Sequence, residues 1–254
     1  MVGEKRRKNP GPRRTVVTAV LVDGGFYRKR ARALFGEKTP DQRADELMEY
    51  CRRHIREAGS NLYRIFYYDC PPSSKVVFHP LTGRSVNLAK SAIYSWSHDF
   101  FTALGKKRKL ALRWGEELET QSGYQLKSAA LKKIMSGKLE VAGLSESDFV
   151  LDITQKGVDM KLGLDIASLA AQGIVNQIIM ISGDSDFVPA AKHARREGID
   201  FILDPMWADI SGSLDMHIDG LTECVSRPPG NLKDPLHADN LGDVSPARDN
   251  VSAD

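Results

Sequence analysis

No apolar run in this sequence approaches the roughly 18 residues needed to span a bilayer. Its basic beginning lacks the apolar segment of a secretory signal. Cysteine is scarce. Cys51, Cys70 and Cys224 are far apart and odd in number, which argues against a disulfide scaffold or a structural zinc site and suits a reducing cytoplasm. There is no glycine-rich loop ending in Gly-Lys-Ser/Thr, and the six histidines have no spacing that fits a Ser-His-Asp or Cys-His arrangement. No internal repeat is present. Net charge is only +3, so overall charge predicts little about partners.

With 254 residues, 41% hydrophobic and 27% charged, the chain can bury one core of about 200 residues or two small ones. Its most informative stretch is Gln177 to Pro189 (QIIMISGDSDFVP). Continuous apolar residues describe a strand buried on both faces, as inside a parallel sheet. The strand stops at Ser182-Gly183, two carboxylates follow, and a helix is expected from Ala190 to Glu197, closed by Gly198. Open α/β sheets bind ligands beyond the carboxyl ends of their strands. Asp184 and Asp186 stand there. One carboxylate suffices to cap a helix, whereas two so close repel unless a cation lies between them. These residues alone leave both a cap and a metal site open.

The same pattern recurs along the chain. Thr15 to Val22 reads as a buried strand closed by Asp23-Gly24-Gly25, with helices over Phe26 to Phe35 and Pro40 to about Ala58. In the second helix His54 lies on the buried stripe and reads as a core-flanking residue, since no second His or Cys completes a metal spacing. Asn61 to Tyr68 is a third strand, parallel to the first. Asp69-Cys70-Pro71-Pro72 would put another carboxylate at the same sheet edge, but it reads better as a strand-end turn because the two prolines supply a local reason for one.

The middle of the chain is less regular. A hairpin is expected over Lys75 to His79 and Arg84 to Leu88, a helix over Ala92 to Leu104, a strand over Leu110 to Trp114, and a helix over Tyr124 to Ile134. Met135 to Ser147 reads as a loop and Asp148 to Ile153 as a short strand. The helix from Val158 to about Gln172 places Val158, Leu162, Ile166 and Leu169 on one face. Asp159 lies at the edge of that face, in a first turn where the helix dipole favours acid. Asp165 falls within the face, where it needs a partner. A last strand, Ile199 to Leu203, and a short helix near Leu214 to Ile218 complete the sheet.

Alternating strands and helices imply a parallel α/β sheet. Residues 15–225 read as one domain with an insertion over about 70–147, between a disordered basic arm (1–14) and a disordered tail (226–254). Asp23, Asp159, Asp184 and Asp186 then share the carboxyl edge. Mg²⁺ or Mn²⁺ would relieve their repulsion, and such a site can activate water against a phosphodiester. Arg28, Lys29, Arg30 and Arg32, with the basic arm, would hold a polyanion by its backbone.

Val22-Asp23-Gly24-Gly25, Lys156-Gly157-Val158-Asp159 with Asp165, and Ser182-Gly183-Asp184-Ser185-Asp186-Phe187 resemble, in that order, the motifs of the NYN domain, the LabA-like (DUF88) branch of the PIN-like nucleases. The resemblance covers about Thr15 to Asp204. It implies a Rossmann-like PIN fold, bound Mg²⁺ or Mn²⁺ and ribonuclease activity. By position, Asp23, Asp159, Asp184 and Asp186 match the metal-binding acids. Asp165 is a further candidate member of that set or, with Ser182 and Ser185, a support beside it; Lys156, just before the acidic helix, reads equally as a contact to the scissile phosphate and as a solvated loop lysine. Many members carry Asn three residues after the first Asp; here that position is Phe26.

The expectation is a cytoplasmic, metal-dependent ribonuclease with RNA as partner and no membrane; homo-oligomerisation is compatible with it. The rivals are a non-catalytic nucleic-acid-binding or protein-interaction module on the same fold, and a phosphatase or receiver-like domain. Against the last, Asp23 is followed by Gly24-Gly25-Phe26 and not by the Asp-x-Asp-x-Thr pattern of an aspartyl-phosphate phosphatase.

Overall fold

The computed structural model describes residues 15–116, 123–151 and 157–227. The basic arm, Lys156 and the tail beyond residue 227 lie outside the described residues. In chain order come β1 (Val17–Asp23), α1 (Gly24–Phe35), α2 (Pro40–Glu57), β2 (Asn61–Asp69), β3 (Val76–Phe78), β4 (Ser85–Asn87), α3 (Ala92–Gly105) and β5 (Leu110–Trp114). These are followed by β6 (Tyr124–Leu126), α4 (Ser128–Met135), β7 (Phe149–Leu151), α5 (Val158–Gln172), β8 (Gln177–Ile181), α6 (Val188–Arg196), β9 (Asp200–Asp204), α7 (Gly212–Asp215) and β10 (Gly220–Leu221).

The central sheet has six strands, all parallel, in the order β10-β9-β8-β1-β2-β5. Strand periodicity divides its core in two. Ala19, Leu21, Phe66, Tyr68, Ile178 and Met180 point to the face covered by α5 and α6. Val20, Val22, Ile65, Tyr67, Ile179 and Ile181 point to the face covered by α1, α2 and α3. Both faces of β1 and β8 are therefore dry, which is why these strands read as unbroken apolar runs. The polar exception, Thr18, is fully buried and donates its hydroxyl to Gln177 Oε1 at 2.7 Å; Gln177 Nε2 donates in turn to Asp200 Oδ2 at 2.7 Å. This chain of bonds ties β1, β8 and β9 together at their amino ends.

From β1 the chain winds outward through β2 to β5, then returns to the other side of β1 as β8. With right-handed crossovers that reversal puts helices on opposite faces. It also opens a crevice between the carboxyl ends of β1 and β8, the topological switch point where such sheets take ligands.

Two expectations need correction. Tyr124 to Ile134 is not one helix: Tyr124–Leu126 is a strand antiparallel to Phe149–Leu151, and the helix starts at Ser128. The pairing is non-local, and it keeps the short Phe149 strand out of the central sheet. The expected loop from 135 to 147 contains two short 3-10 turns, Val141–Gly143 and Glu146–Asp148. By contrast α3 and β5, within the middle stretch, build the core and the sheet edge. No described helix is long and apolar enough to cross a membrane.

Candidate active site

Asp23 ends β1 and caps α1, accepting the Phe26 amide on Oδ1 at 3.1 Å. Its other oxygen faces Ser182 Oγ at 3.4 Å, and that hydroxyl also accepts the Asp184 amide at 3.2 Å. Ser182 is fully buried at the end of β8. It bridges the carboxylate of one strand end to the backbone of the next. Asp184 then caps the 3-10 turn Ser185–Phe187 by accepting the Asp186 amide at 2.9 Å. Capping accounts for Asp184 Oδ1 and leaves Asp186 unexplained. Asp184, Ser185 and Asp186 are all exposed. Asp159 is exposed in the first turn of α5, behind Gly157.

Electrostatics ties these acids together. Burial is the largest influence on Asp23 and pushes its carboxyl up to about 6; the Phe26 amide opposes this, and the charges of Asp69, Asp159 and Asp184 add to the rise. Asp159 is raised by partial burial and by Asp184 and Asp186. Acids on β1, α5 and the segment after β8 thus feel one another across the switch point.

Close backbone approach shapes the site. A Cβ on Gly24 would stand 2.6 Å from both Asp69 Oδ2 and the Tyr68 carbonyl oxygen, and 2.7 Å from Tyr67 Cε1. Glycine at 24 lets α1 start against β2. Gly24→Ala is expected to cost about 2–3 kcal/mol of stability by overpacking, read from urea denaturation. The Phe26 ring packs on Gly183, where a Cβ would lie 2.8 Å from Phe26 Cε2. The departure at position 26 is therefore an apolar contact between the first and last motifs.

Asp69, set aside in the sequence as part of a strand-end turn, is a neighbour of the site. It ends β2 beside Asp23, is 1% exposed, and accepts Arg28 at 3.0 Å, Tyr67 Oη at 3.2 Å and the Cys70 amide at 2.8 Å. Burial raises its carboxyl against the pull of Arg28. Arg28 therefore stands at the site as the partner of an acid.

Arg30 is a correction. At 1% exposure it donates Nε to the Met206 carbonyl at 3.0 Å and is not available to a nucleic acid. It lies on the buried face of α1 with Phe26, Tyr27 and Ala31. Lys29 and Arg32 are exposed, Arg32 being paired with Glu37.

Asp165 has the partners its place demands. Its Oδ2 accepts Tyr68 Oη at 2.9 Å and Arg113 Nε at 3.0 Å. It fastens α5 to β2 and β5. Asp165→Asn is expected to lower stability by about 1 kcal/mol through the weakened Arg113 pair, with Mn²⁺ affinity unchanged, as urea melts and calorimetry would read.

His54 also has unforeseen neighbours. Among the described residues, the three-donor set with ligand atoms all within 4.8 Å is His54, Asp204 and Cys224; no three strand-end acids are so close. All three are buried. Yet Asp204 Oδ2 already takes His54 Nε2 and Tyr50 Oη, each at 2.6 Å, while Oδ1 takes the Met206 amide at 2.7 Å. Distances of 2.6 Å are hydrogen bonds that leave no room for an ion between those atoms. The cluster is a brace between α2 and the end of β9, joined from residues 150 or more positions apart in sequence.

The strand-end acids suit a hard divalent cation better. They offer oxygen only, the donor that Mg²⁺ and Mn²⁺ prefer; since no three of them bring ligand atoms within 4.8 Å of one another among the described residues, two at most bind one ion directly and waters fill the rest of its shell.

No curated protein matches the sequence. A solved protein of unknown function from Vibrio parahaemolyticus is similar at 13% identity and a TM-score of 0.44, over 84% of this chain and 94% of its own. A family model described as the NYN domain matches residues 99–211, a stretch that holds Asp159, Asp165, Asp184 and Asp186 and begins after Asp23. Over residues 99–211, fewer than half of its residues, the chain is thus similar to the NYN domain, a nuclease-like family of the PIN-like superfamily.

Proposed function

We propose that the protein is a metal-dependent ribonuclease acting at the crevice between β1 and β8. The observation that carries this reading is the convergence of Asp23, Asp159 and Asp184 there, with the Asp23 carboxyl raised to about 6. Asp23, Asp159, Asp184 and Asp186 are the residues that would hold Mg²⁺ or Mn²⁺. Bound there, the cation supplies Lewis acidity and a water of lowered pKa for in-line attack on a phosphodiester. Ser182 fixes the spacing of Asp23 and Asp184 through its two hydrogen bonds. Ser185 starts the turn that carries Asp186. Asp165 holds α5, and with it Asp159, against the sheet.

Arg28 supplies positive charge beside the acids, where Asp69 and Asp23 hold its guanidinium protonated. Lys29, Arg32 and the arm over residues 1–14 hold the RNA backbone without reading bases. Lys156 contacts the scissile phosphate. Residues 15–225 form the catalytic domain. Three buried free thiols suit a reducing, cytoplasmic setting.

Labelled RNA incubated with purified protein tests the reading. Cleavage with Mn²⁺ that stops in EDTA supports it. RNA bound but never cleaved would make the protein a binding module on the same fold.

A further inference from the structure

Beyond the acids, the carboxyl edge of the sheet continues toward β5 with different chemistry. Asp23 is paired in register with Tyr68, and Asp69 with Trp114. Two strand spacings, roughly 10 Å, therefore separate β1 from Trp114 at this edge. Trp114 is 36% exposed, unusual for so large an apolar ring beside a charged site. The Phe101 ring holds it at 4.7 Å and 88°, edge to face. The same Phe101 carries the Arg28 guanidinium at 5.8 Å from its centroid. Arg28 keeps a fifth of its side chain in water, and its buried Nε has no hydrogen-bond partner among the described residues despite the bond to Asp69. A cation with unused donor capacity and a rigidly backed indole thus flank one phenyl ring, next to the acids.

From this arrangement we propose that Arg28 and Trp114 form a nucleotide subsite for single-stranded RNA, Arg28 taking a phosphate and Trp114 stacking on the neighbouring base. The inference rests on the ribonuclease reading and adds a substrate class to it. A base inside a duplex is already stacked on its neighbours and offers the indole no face, whereas an unpaired base does. Asp23 at the end of β1, the Arg28–Asp69 pair at the end of β2 and Trp114 at the end of β5 follow one another along the sheet edge, so an RNA strand bound to them crosses that edge from strand to strand.

The test is binding of a fluorescent single-stranded oligoribonucleotide, and of its duplex, in EDTA so that nothing is cleaved. Trp114→Leu keeps an apolar contact for Phe101 without an aromatic face, and Trp114→Phe restores a smaller one; thermal melts establish that both fold. Trp114→Leu is expected to weaken single-strand binding about tenfold or more, the scale of one lost base stack. Trp114→Phe should recover most of it, and duplex binding should be unchanged. Wild-type single-strand affinity in folded Trp114→Leu, or equal losses for both forms of RNA, would overturn the subsite. If the wild type still cleaves RNA with Mn²⁺ in that case, the ribonuclease reading stands; a wild type that neither binds nor cleaves RNA overturns both.

Discussion

Asp186→Asn protein is expected to fold normally and to cleave RNA slower by two orders of magnitude or more, the scale lost with one preorganised electrostatic contact. Asp186 makes no cap, and its side chain is exposed after β8, so its loss leaves no buried group unsatisfied. Asp23→Asn should show the same loss with an added signature. A carboxyl raised from 3.8 to about 6 keeps its proton in the folded chain over a pH range where the unfolded chain has released it. Stability of the metal-free protein therefore falls as pH rises from about 4 to about 6 and stays lower above that. Asparagine caps α1 as well as aspartate does and carries no charge. In EDTA at pH 7, Asp23→Asn should thus be more stable than wild type by roughly 1–3 kcal/mol. At pH 4 the two should melt together. A wild-type cleavage rate in Asp23→Asn and Asp186→Asn would remove the acids from the chemistry.

The other large effect lies behind the site. Asp204→Ala is expected to destabilise the protein by about 3–5 kcal/mol, because it strands donors in a dry interior. Tyr50 Oη, His54 Nε2 and the Met206 amide all donate to this one fully buried carboxylate. The segment it holds is strained: Met206 and Trp207 have φ of 48° and 61°, left-handed values that L side chains disfavour. Arg30 grips the Met206 carbonyl from α1. Without Asp204 the strained segment loses its hold on the Met206 amide and keeps only Arg30 at the Met206 carbonyl and the Glu223 and Val225 bonds of Trp207. Equilibrium urea unfolding reads the loss, and a change below about 1 kcal/mol would show that the network contributes little.

What the sequence disclosed follows from where information is local. Buried parallel strands are written as continuous apolar runs, so β1 and β8 and the acids that end them were visible together. Asp69 was hidden by its own neighbours, since Pro71-Pro72 gave a sufficient local reason for a turn. Its partner Arg28 comes from another element, and no spacing announces the pair. Arg30 is a different case: it stands four residues after Phe26 on a helix, and that periodicity was a usable sign of burial. For Asp165 the projection rightly demanded a partner, but Tyr68 and Arg113 come from β2 and β5. The His54, Asp204 and Cys224 cluster joins three distant stretches and carries no motif. Tyr124–Leu126 became a strand because Phe149–Leu151 pairs with it across more than twenty residues.

The central claim is that the strand-end acids, and not the buried His54 cluster, form the metal centre. Calorimetric titration of Mn²⁺ into wild type, Asp186→Asn and Cys224→Ser at pH 7 tests it most directly. The account predicts binding by wild type and Cys224→Ser, with binding lost or greatly weakened in Asp186→Asn. Wild-type binding in Asp186→Asn with loss in Cys224→Ser would contradict it.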